Sequence, residues 1–432
     1  MVSSPSARAA SSLRGLWLAL TVTAAAVQLG CLPPDGRPAR SSGNLDGGGG
    51  IDGTGIDGFN LDQDRDGVTP AQGDCDDGNP TVYPGAPELC DGLDHDCNRI
   101  RDDICDDDGD GYAILAGNGK PGGDCNDRDR RIGPGAIEVP GNRVDDNCDG
   151  RVDEALPPCD PSLPATDPRS RAAAFELCAP WLLDATLNTG ADPRAHAVLP
   201  DYGTYRPFQG PSFAVLSTGI AADEDDPNYV DPQLGTDFGG QAPNPFPSNN
   251  TNSTCGTSYT DTNTVGDYLE LRLTLKVPSN ANGFSFRFNF LSAEYPEFVG
   301  TEYNDKFLVL LDSGAYSGNI SFDQAGNPIT INGGFFAACD PNALICEGRQ
   351  RGSCPLPLSQ LNGTGYELID TSQEVIGGGT GWLTTTAPVV PGETAVLRFI
   401  LFDERDLFYD SAVMIDDFRW QLTAAPRPTT IP

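Results

Sequence analysis

Between about residues 62 and 154 the chain is too acidic and too poor in large side chains to fold on a hydrophobic core alone. Residues 52 to 154 hold 27 Asp plus Glu against 9 Lys plus Arg, a net of about −18. Only 15 residues from Asp62 to Glu154 are Leu, Ile, Val, Phe, Tyr, Trp or Met. A core that small cannot hold the segment against its own repulsion. Yet the segment is regularly punctuated, and it is duplicated. Copy one reads Asp62-Gln-Asp64-Arg-Asp66-Gly67, then Gly73-Asp74-Cys75-Asp76-Asp77, Pro84-Gly85-Ala86-Pro87-Glu88, Cys90-Asp91-Gly92 and Asp94-His95-Asp96-Cys97. Copy two reads Asp106-Asp107-Asp108-Gly109-Asp110-Gly111, then Gly123-Asp124-Cys125-Asn126-Asp127, Pro134-Gly135-Ala136, Glu138 and Asp145-Asp146-Asn147-Cys148-Asp149-Gly150. The copies are offset by 44 residues at the first run, 50 at the Asp-Cys box and 51 at the closing cysteine. Disulfides and bound cations are the remedies open to such a sequence. A plain disordered acidic linker is the competing reading, and the Cys, Gly and Pro punctuation argues against it.

Both D-x-D-x-D-G runs have the opening of an oxygen-lined Ca²⁺ loop. Carboxylates stand at positions 1, 3 and 5, Gly at 6 permits the sharp turn, and residue 7 offers its carbonyl. The candidate ligands are Asp62, Asp64 and Asp66 in copy one and Asp106, Asp108 and Asp110 in copy two. Gly73 and Gly117 occupy position 12, so the helix-borne Glu of an EF-hand is missing. The closing carboxylate is therefore expected from Asp74 or Asp77 and from Asp124 or Asp127. Gly and Asn density leaves no room for flanking helices. Copper would favour imidazole or sulfur ligands. The chain has two His, of which only His95 lies in the repeats, where it reads as a solvated loop residue. Hard–soft logic favours Ca²⁺ over Cu.

Cysteine equivalence predicts Cys75–Cys97 and Cys125–Cys148 as one repeated bridge, leaving Cys90 to pair with Cys105. Cys159, Cys178, Cys255, Cys339, Cys346 and Cys354 remain, with a local pair expected within 339–354. Setting Cys31 aside leaves 12 of the 13 cysteines, an even number suited to an oxidising compartment.

The loops resemble those of thrombospondin type 3 repeats. The whole unit, D-x-D-x-D-G…D-C-D-D…P-G-A-P-E…C-D-G-x-D-x-D-C, resembles the MopE-type metal-binding repeat of bacterial surface proteins, a family whose label mentions copper. Copy two departs from it in having Pro140 where copy one has Cys90.

Residues 1–30 read as a signal peptide. Arg8 and Arg14 precede an apolar run from Leu16 to Val27, ending at Gly30-Cys31. That end resembles a bacterial lipobox, with Gln28 where an aliphatic residue is usual, which implies lipidation of Cys31. An ordinary cleaved signal is the alternative. Residues 31–61 are a Gly/Ser/Asp-rich tether with almost no bulky side chains. The repeats are assigned to 62–105 and 106–158.

From about 170 to 424 the pattern changes. Leu269, Leu271, Leu273, Leu275 and Val277 alternate with Glu270, Arg272, Thr274 and Lys276. Phe284, Phe286, Phe288 and Phe290 alternate with Ser285, Arg287 and Asn289. Both are half-buried strands. Further strands are expected at 213–217, 307–311, 396–402 and 411–422, with one short helix near 172–179 ended by Pro180. The fold class is mainly β, a C-terminal β-sandwich or jelly roll preceded by loop-rich repeats stabilised by disulfides and metal. Residues 425–432 are read as a tail.

Phe290-Leu-Ser-Ala-Glu294-Tyr295-Pro296-Glu297-Phe298-Val299-Gly300, continuing to Asn304-Asp305-Lys306-Phe307, resembles the choice-of-anchor L domain, as do 214–219 and 410–418. The resemblance implies a bacterial surface domain and not an enzyme. Glu294, Glu297, Asn304 and Asp305 form either a second metal or ligand loop or a turn-stabilising polar network. Asp403, Glu404, Asp406 and Asp410 pose the same choice. Glu294 and Glu297 could serve a secreted glycan-acting hydrolase as acid and base, but their spacing fixes no cleft. No H-E-x-x-H, G-x-S-x-G or Walker loop is present. His196 reads as structural. A net charge of −35 argues against nucleic acid as a partner. The expected whole is a lipid-anchored surface protein, or alternatively a secreted one. Its Ca²⁺-stabilised acidic stalk presents a sandwich to a surface, glycan or matrix ligand, with membrane contact through the lipid only. A copper-binding surface protein is the other metal reading.

Overall fold

The computed structural model describes residues 61–432 apart from 157, 160–162, 189–190, 240–250, 257, 260–264, 324–325, 370–374, 406 and 424. The signal, Cys31 and nearly all of the tether lie outside the described residues. Among the described residues no helix is long and apolar enough to cross a membrane.

The C-terminal part is two antiparallel sheets packed face to face. One runs in the order Leu182–Leu187, Val265–Lys276, Thr394–Glu404, Lys306–Asp312, Ile329–Thr330, with Ser317–Asn319 on Lys306–Asp312. The other runs Thr429–Ile431, Leu383–Pro388, Gly283–Ser292, Ser411–Gln421, Phe213–Ser217, His196–Leu199, with Gly378–Gly379 on Gly283–Ser292. Period-two alternation turns Phe284, Phe286, Phe288 and Phe290 inward, all 0% exposed. Leu271, Leu273, Leu275, Leu397 and Phe399 meet them from the facing sheet. Phe286 and Phe399 interlock edge to face at 5.2 Å, and Phe288 lies 4.9 Å from Phe307. On the outer face Arg287 pairs with Asp417 at 3.1 Å and lies 4.0 Å over the Phe208 ring.

The expected strands are present, and the short helix is Arg169–Ala174. The tail reading needs correction. Thr429–Ile431 is an edge strand paired with Leu383–Pro388, and Thr430 shares a buried 2.9 Å hydroxyl contact with Thr385. Three residues of Thr-Thr-Ile are too few to show alternation. His196 has a partner that its sequence neighbours do not reveal. The buried Arg171 guanidinium lies 2.6 Å from its Nδ1, and donates to Ser170 Oγ at 2.9 Å and to the carbonyls of Ala165 and Asp167.

Burial, then the Arg171 charge, push the His196 pKa down to about 4, so the folded protein holds this ring neutral. Below the unfolded pKa of about 6.5 the unfolded chain takes up a proton that the fold refuses. His196 therefore contributes stability above about pH 6.5 that is lost as pH falls towards 4. Paired thermal melts of wild type and His196→Gln should converge across that window; a constant difference would refute the coupling.

In the repeats, six disulfide partners replace a core. Cys75 bonds Cys97, Cys90 bonds Cys105 and Cys125 bonds Cys148. The head carries Cys159–Cys178, Cys255–Cys346 and the local pair Cys339–Cys354. Among the described repeat residues the only helical turn is the 3-10 segment Pro70–Gln72. The second repeat is seated on the head. Asn280 accepts from the Ile137 N–H at 3.0 Å and donates to its carbonyl at 2.7 Å, while Ser279 N–H donates to the Gly135 carbonyl at 2.8 Å.

Candidate metal centres

Each D-x-D-x-D-G run is wound by its own carboxylates. Asp62 accepts from the Arg65 and Gly67 N–H groups, Asp64 from Asp66 N–H at 3.1 Å and Asp66 from Val68 N–H at 2.7 Å. Copy two repeats the pattern: Asp106 takes Gly109 and Gly111, Asp108 takes Asp110 and Asp110 takes Tyr112. Gly67 and Gly111 sit at φ 98° and 107°, where a side chain would be strained.

These bonds occupy both oxygens of Asp62 and Asp106 but only one oxygen of Asp64, Asp66, Asp108 and Asp110, leaving the other turned inward. Oδ2 of Asp64, Asp66 and Asp74 are buried without a hydrogen-bond partner, and so are Oδ2 of Asp108, Asp110 and Asp124. The same three positions are orphaned in both copies. Oxygen atoms of Asp62, Asp64 and Asp66 lie within 4.8 Å of one another, as do those of Asp108, Asp110 and Asp124, and of Asp106, Asp108 and Asp127. Both closing candidates of copy two are thus gathered at its loop. In copy one Asp74 supplies the equivalent orphan oxygen, while Asp77 accepts from the backbone and side chain of Gln63 at 3.0 and 2.8 Å. Burial first, then neighbouring carboxylates, push Asp108 and Asp127 up to about 6. Asp106 differs: burial raises its pKa, but Lys120 at 2.6 Å and two backbone donors bring it below the usual value.

A second loop in each copy was missed by sequence reasoning. Asp94 accepts from Arg99 N–H, Asp96 from Asn98 N–H and Asn98 from Ile100 N–H. Asp145 accepts from Gly150, Asn147 from Asp149 and Asp149 from Arg151 in the same way. Glu88 and Glu138 brace these loops from the Asp96 and Asn147 N–H groups at 2.7 and 3.1 Å. Glu88, Asp94 and Asp96 bring oxygens within 4.8 Å. The signal was the D-x-[DN]-x-[DN] spacing at 94/96/98 and 145/147/149, hidden by the cysteine inside it. His95 is not solvated; it is 1% exposed, 3.9 Å from Glu88 and 3.7 Å from Asp91. One imidazole among carboxylates does not make a copper donor set.

In the head, Glu294 and Asp305 are joined, Asp305 N–H donating to Glu294 Oε2 at 3.1 Å. Asn304 accepts from Asn332 N–H at 3.3 Å and so braces the loop backbone. Glu297 is exposed. Glu404 pairs with buried Lys306 at 2.9 Å, and Asp406 lies outside the described residues.

Residues 202–418, half of the chain, match the family model described as the choice-of-anchor L domain. The chain belongs to the choice-of-anchor L family. Residues 74–103 and 124–154 match the Cu-binding MopE model, described as "Putative metal-binding motif". Those two stretches contain all four closing candidates, Asp74, Asp77, Asp124 and Asp127, and both second loops. Neither match is to an enzyme, and a choice-of-anchor domain implies a cell-surface or secreted protein. No curated protein matches the chain. Among solved structures the chain is similar to TmCBM61 in complex with beta-1,4-galactotriose, at 10% identity, covering 56% of this chain and 86% of that one. The TM-score of 0.19 is too low to carry an argument about fold or ligand.

Proposed function

We propose that this is a calcium-loaded surface protein whose acidic repeats form a metal-rigidified stalk presenting the choice-of-anchor L head. The observation that carries the reading is the repeated triad of orphan carboxylate oxygens, Asp64/Asp66/Asp74 and Asp108/Asp110/Asp124. Hard oxygen donors in a flexible loop suit Ca²⁺, which accepts six to eight of them at 2.3–2.6 Å. The second loops offer Glu88, Asp94 and Asp96, and their copy-two counterparts, as further ligands. Cys31 lipidation would hold the tether at the membrane, and the head would engage a surface, glycan or matrix ligand. A single acyl chain anchors only weakly, so a second chain belongs to this reading.

Calorimetry on the full chain should show Ca²⁺ uptake in the range of extracellular modules, roughly 10⁻⁴ to 10⁻³ M. Asp64→Asn with Asp66→Asn should remove the copy-one event and leave copy two. No Ca²⁺ heat, or Cu²⁺ bound in preference to Ca²⁺, would overturn the metal assignment. Mass spectrometry of the mature N-terminus tests the anchor separately.

A further inference from the structure

Five carboxylates on five separate elements converge at one end of the sandwich. Asp267 lies in Val265–Lys276, Glu294 just past Gly283–Ser292, Asp305 just before Lys306–Asp312, Asp403 in Thr394–Glu404 and Asp410 just before Ser411–Gln421. None is more than 3% exposed. Backbone and hydroxyl donors serve part of the group: Ser411 Oγ donates to Asp305 at 2.6 Å, Phe238 N–H to Asp267 at 2.7 Å and Thr236 N–H to Asp410 at 3.1 Å.

Asp403 is different. Its side chain is fully buried, and neither oxygen accepts a hydrogen bond. The nearby Thr218 hydroxyl favours its charged form, but directs its own hydrogen bond to the Ser411 carbonyl at 3.4 Å. The charges acting most strongly on Asp403 are other carboxylates, Asp305 and Asp410 ahead of Asp267. Lys306 does not relieve it, because Lys306 pairs with Glu404, and successive strand residues face opposite ways. The ladder slips between Leu401 and Asp403, which sets Asp403 opposite Gly266, a position with no side chain to fill the space. A buried carboxylate without a donor costs several kcal/mol unless it is neutralised or coordinated.

We infer that Asp403, with Asp305 and Asp410 beside it and Glu294 and Asp267 closing the ring, forms a buried divalent-cation site in the head that takes Ca²⁺. A dry cage of carboxylates suits Ca²⁺ better than Mg²⁺, which keeps several of its waters. The site is independent of the stalk loops and falls wholly within the matched choice-of-anchor region.

The test uses the full chain carrying Asp64→Asn, Asp94→Asn, Asp108→Asn and Asp145→Asn, so that neither set of stalk loops confounds it. Trp181, Trp382 and Trp420 all lie in the head and report its melting by fluorescence. Ca²⁺ at 100-fold over Kd should raise that melting by about 5–10 °C. Adding Asp403→Asn should abolish the rise and lower the ion count in native mass spectrometry by one. If Asp403→Asn does not fold, Asp305→Asn should give the same loss. An unchanged ion count, or a parent head that ignores Ca²⁺ while Asp403→Asn melts higher in chelator, would mean a protonated acid and overturn the site. Loss of stalk binding alone leaves this result untouched.

Discussion

Reduction of the disulfides in the presence of a calcium chelator should unfold the repeats while the head stays folded. The stalk bridges close loops of 22, 15 and 23 residues. In the chain-entropy view a loop of that size restrains the unfolded chain by about 3 kcal/mol. Each Ca²⁺ bound as proposed, at 100-fold over its Kd, would add about 2.7 kcal/mol. Against this, the buried hydrophobic residues described in the repeats are Val82, Ala86, Cys105, Ala113, Ala136 and Ile137, mostly too small to matter. The crosslinks, with the proposed ions, would therefore exceed the core as sources of stability. Limited proteolysis should cut within 62–154 only when both reductant and chelator are present, and tryptophan emission should stay native. Repeats that resist both treatments would require a cohesive force that the sequence does not contain. A milder form is Cys75→Ser with Cys97→Ser, which should cost about 3 kcal/mol and make copy one the first to open.

The head should respond to a different lesion. Phe286→Ala is expected to cost 3–5 kcal/mol, the usual range for deleting a buried aromatic ring. Phe286 is 0% exposed, with Phe399 across the sheets at 5.2 Å and Phe288 alongside at 6.0 Å. At 2–4 °C per kcal/mol for a domain of this size, melting should fall by roughly 10 °C. Phe408→Ala is the control: at 60% exposed it should stay within about 0.5 kcal/mol. Urea unfolding followed by tryptophan emission measures both, and equal effects would mean that the two rings share an environment.

The strands of the head were legible because four phenylalanines and five aliphatic residues alternate without interruption, a pattern only a two-faced strand produces. Equivalent cysteines in two copies likewise indicated one bridge drawn twice, whereas the head cysteines had no second copy to compare with. Position 12 of each D-x-D-x-D-G loop holds glycine, so the sequence showed that a distant carboxylate was needed without choosing between two candidates. In copy one Gln63 occupies Asp77 and leaves Asp74 as the orphan. In copy two Asp124 and Asp127 both stay near the loop. The second loops were obscured because Cys97 and Cys148 interrupt them and because copy one has Arg99 at φ 77° where copy two has Gly150. Asp403 could not be grouped with Asp305 or Asp267 from the chain, since they are neighbours only through strand pairing across about 100 residues or more.

The Asn280 clasp on Ile137 has a mechanical consequence. A pull delivered from the N-terminal side passes through the first repeat into the second, and there it meets a pair of reciprocal amide bonds and the Ser279–Gly135 contact before it reaches the chain that follows. Short bonds loaded side by side yield together, and behind them the Cys159–Cys178 bridge ties the following chain to the head. The clasp would therefore act as a shear lock: under low tension the second repeat travels as one piece with the sandwich. The head's bearing relative to the first repeat is then set through the second repeat.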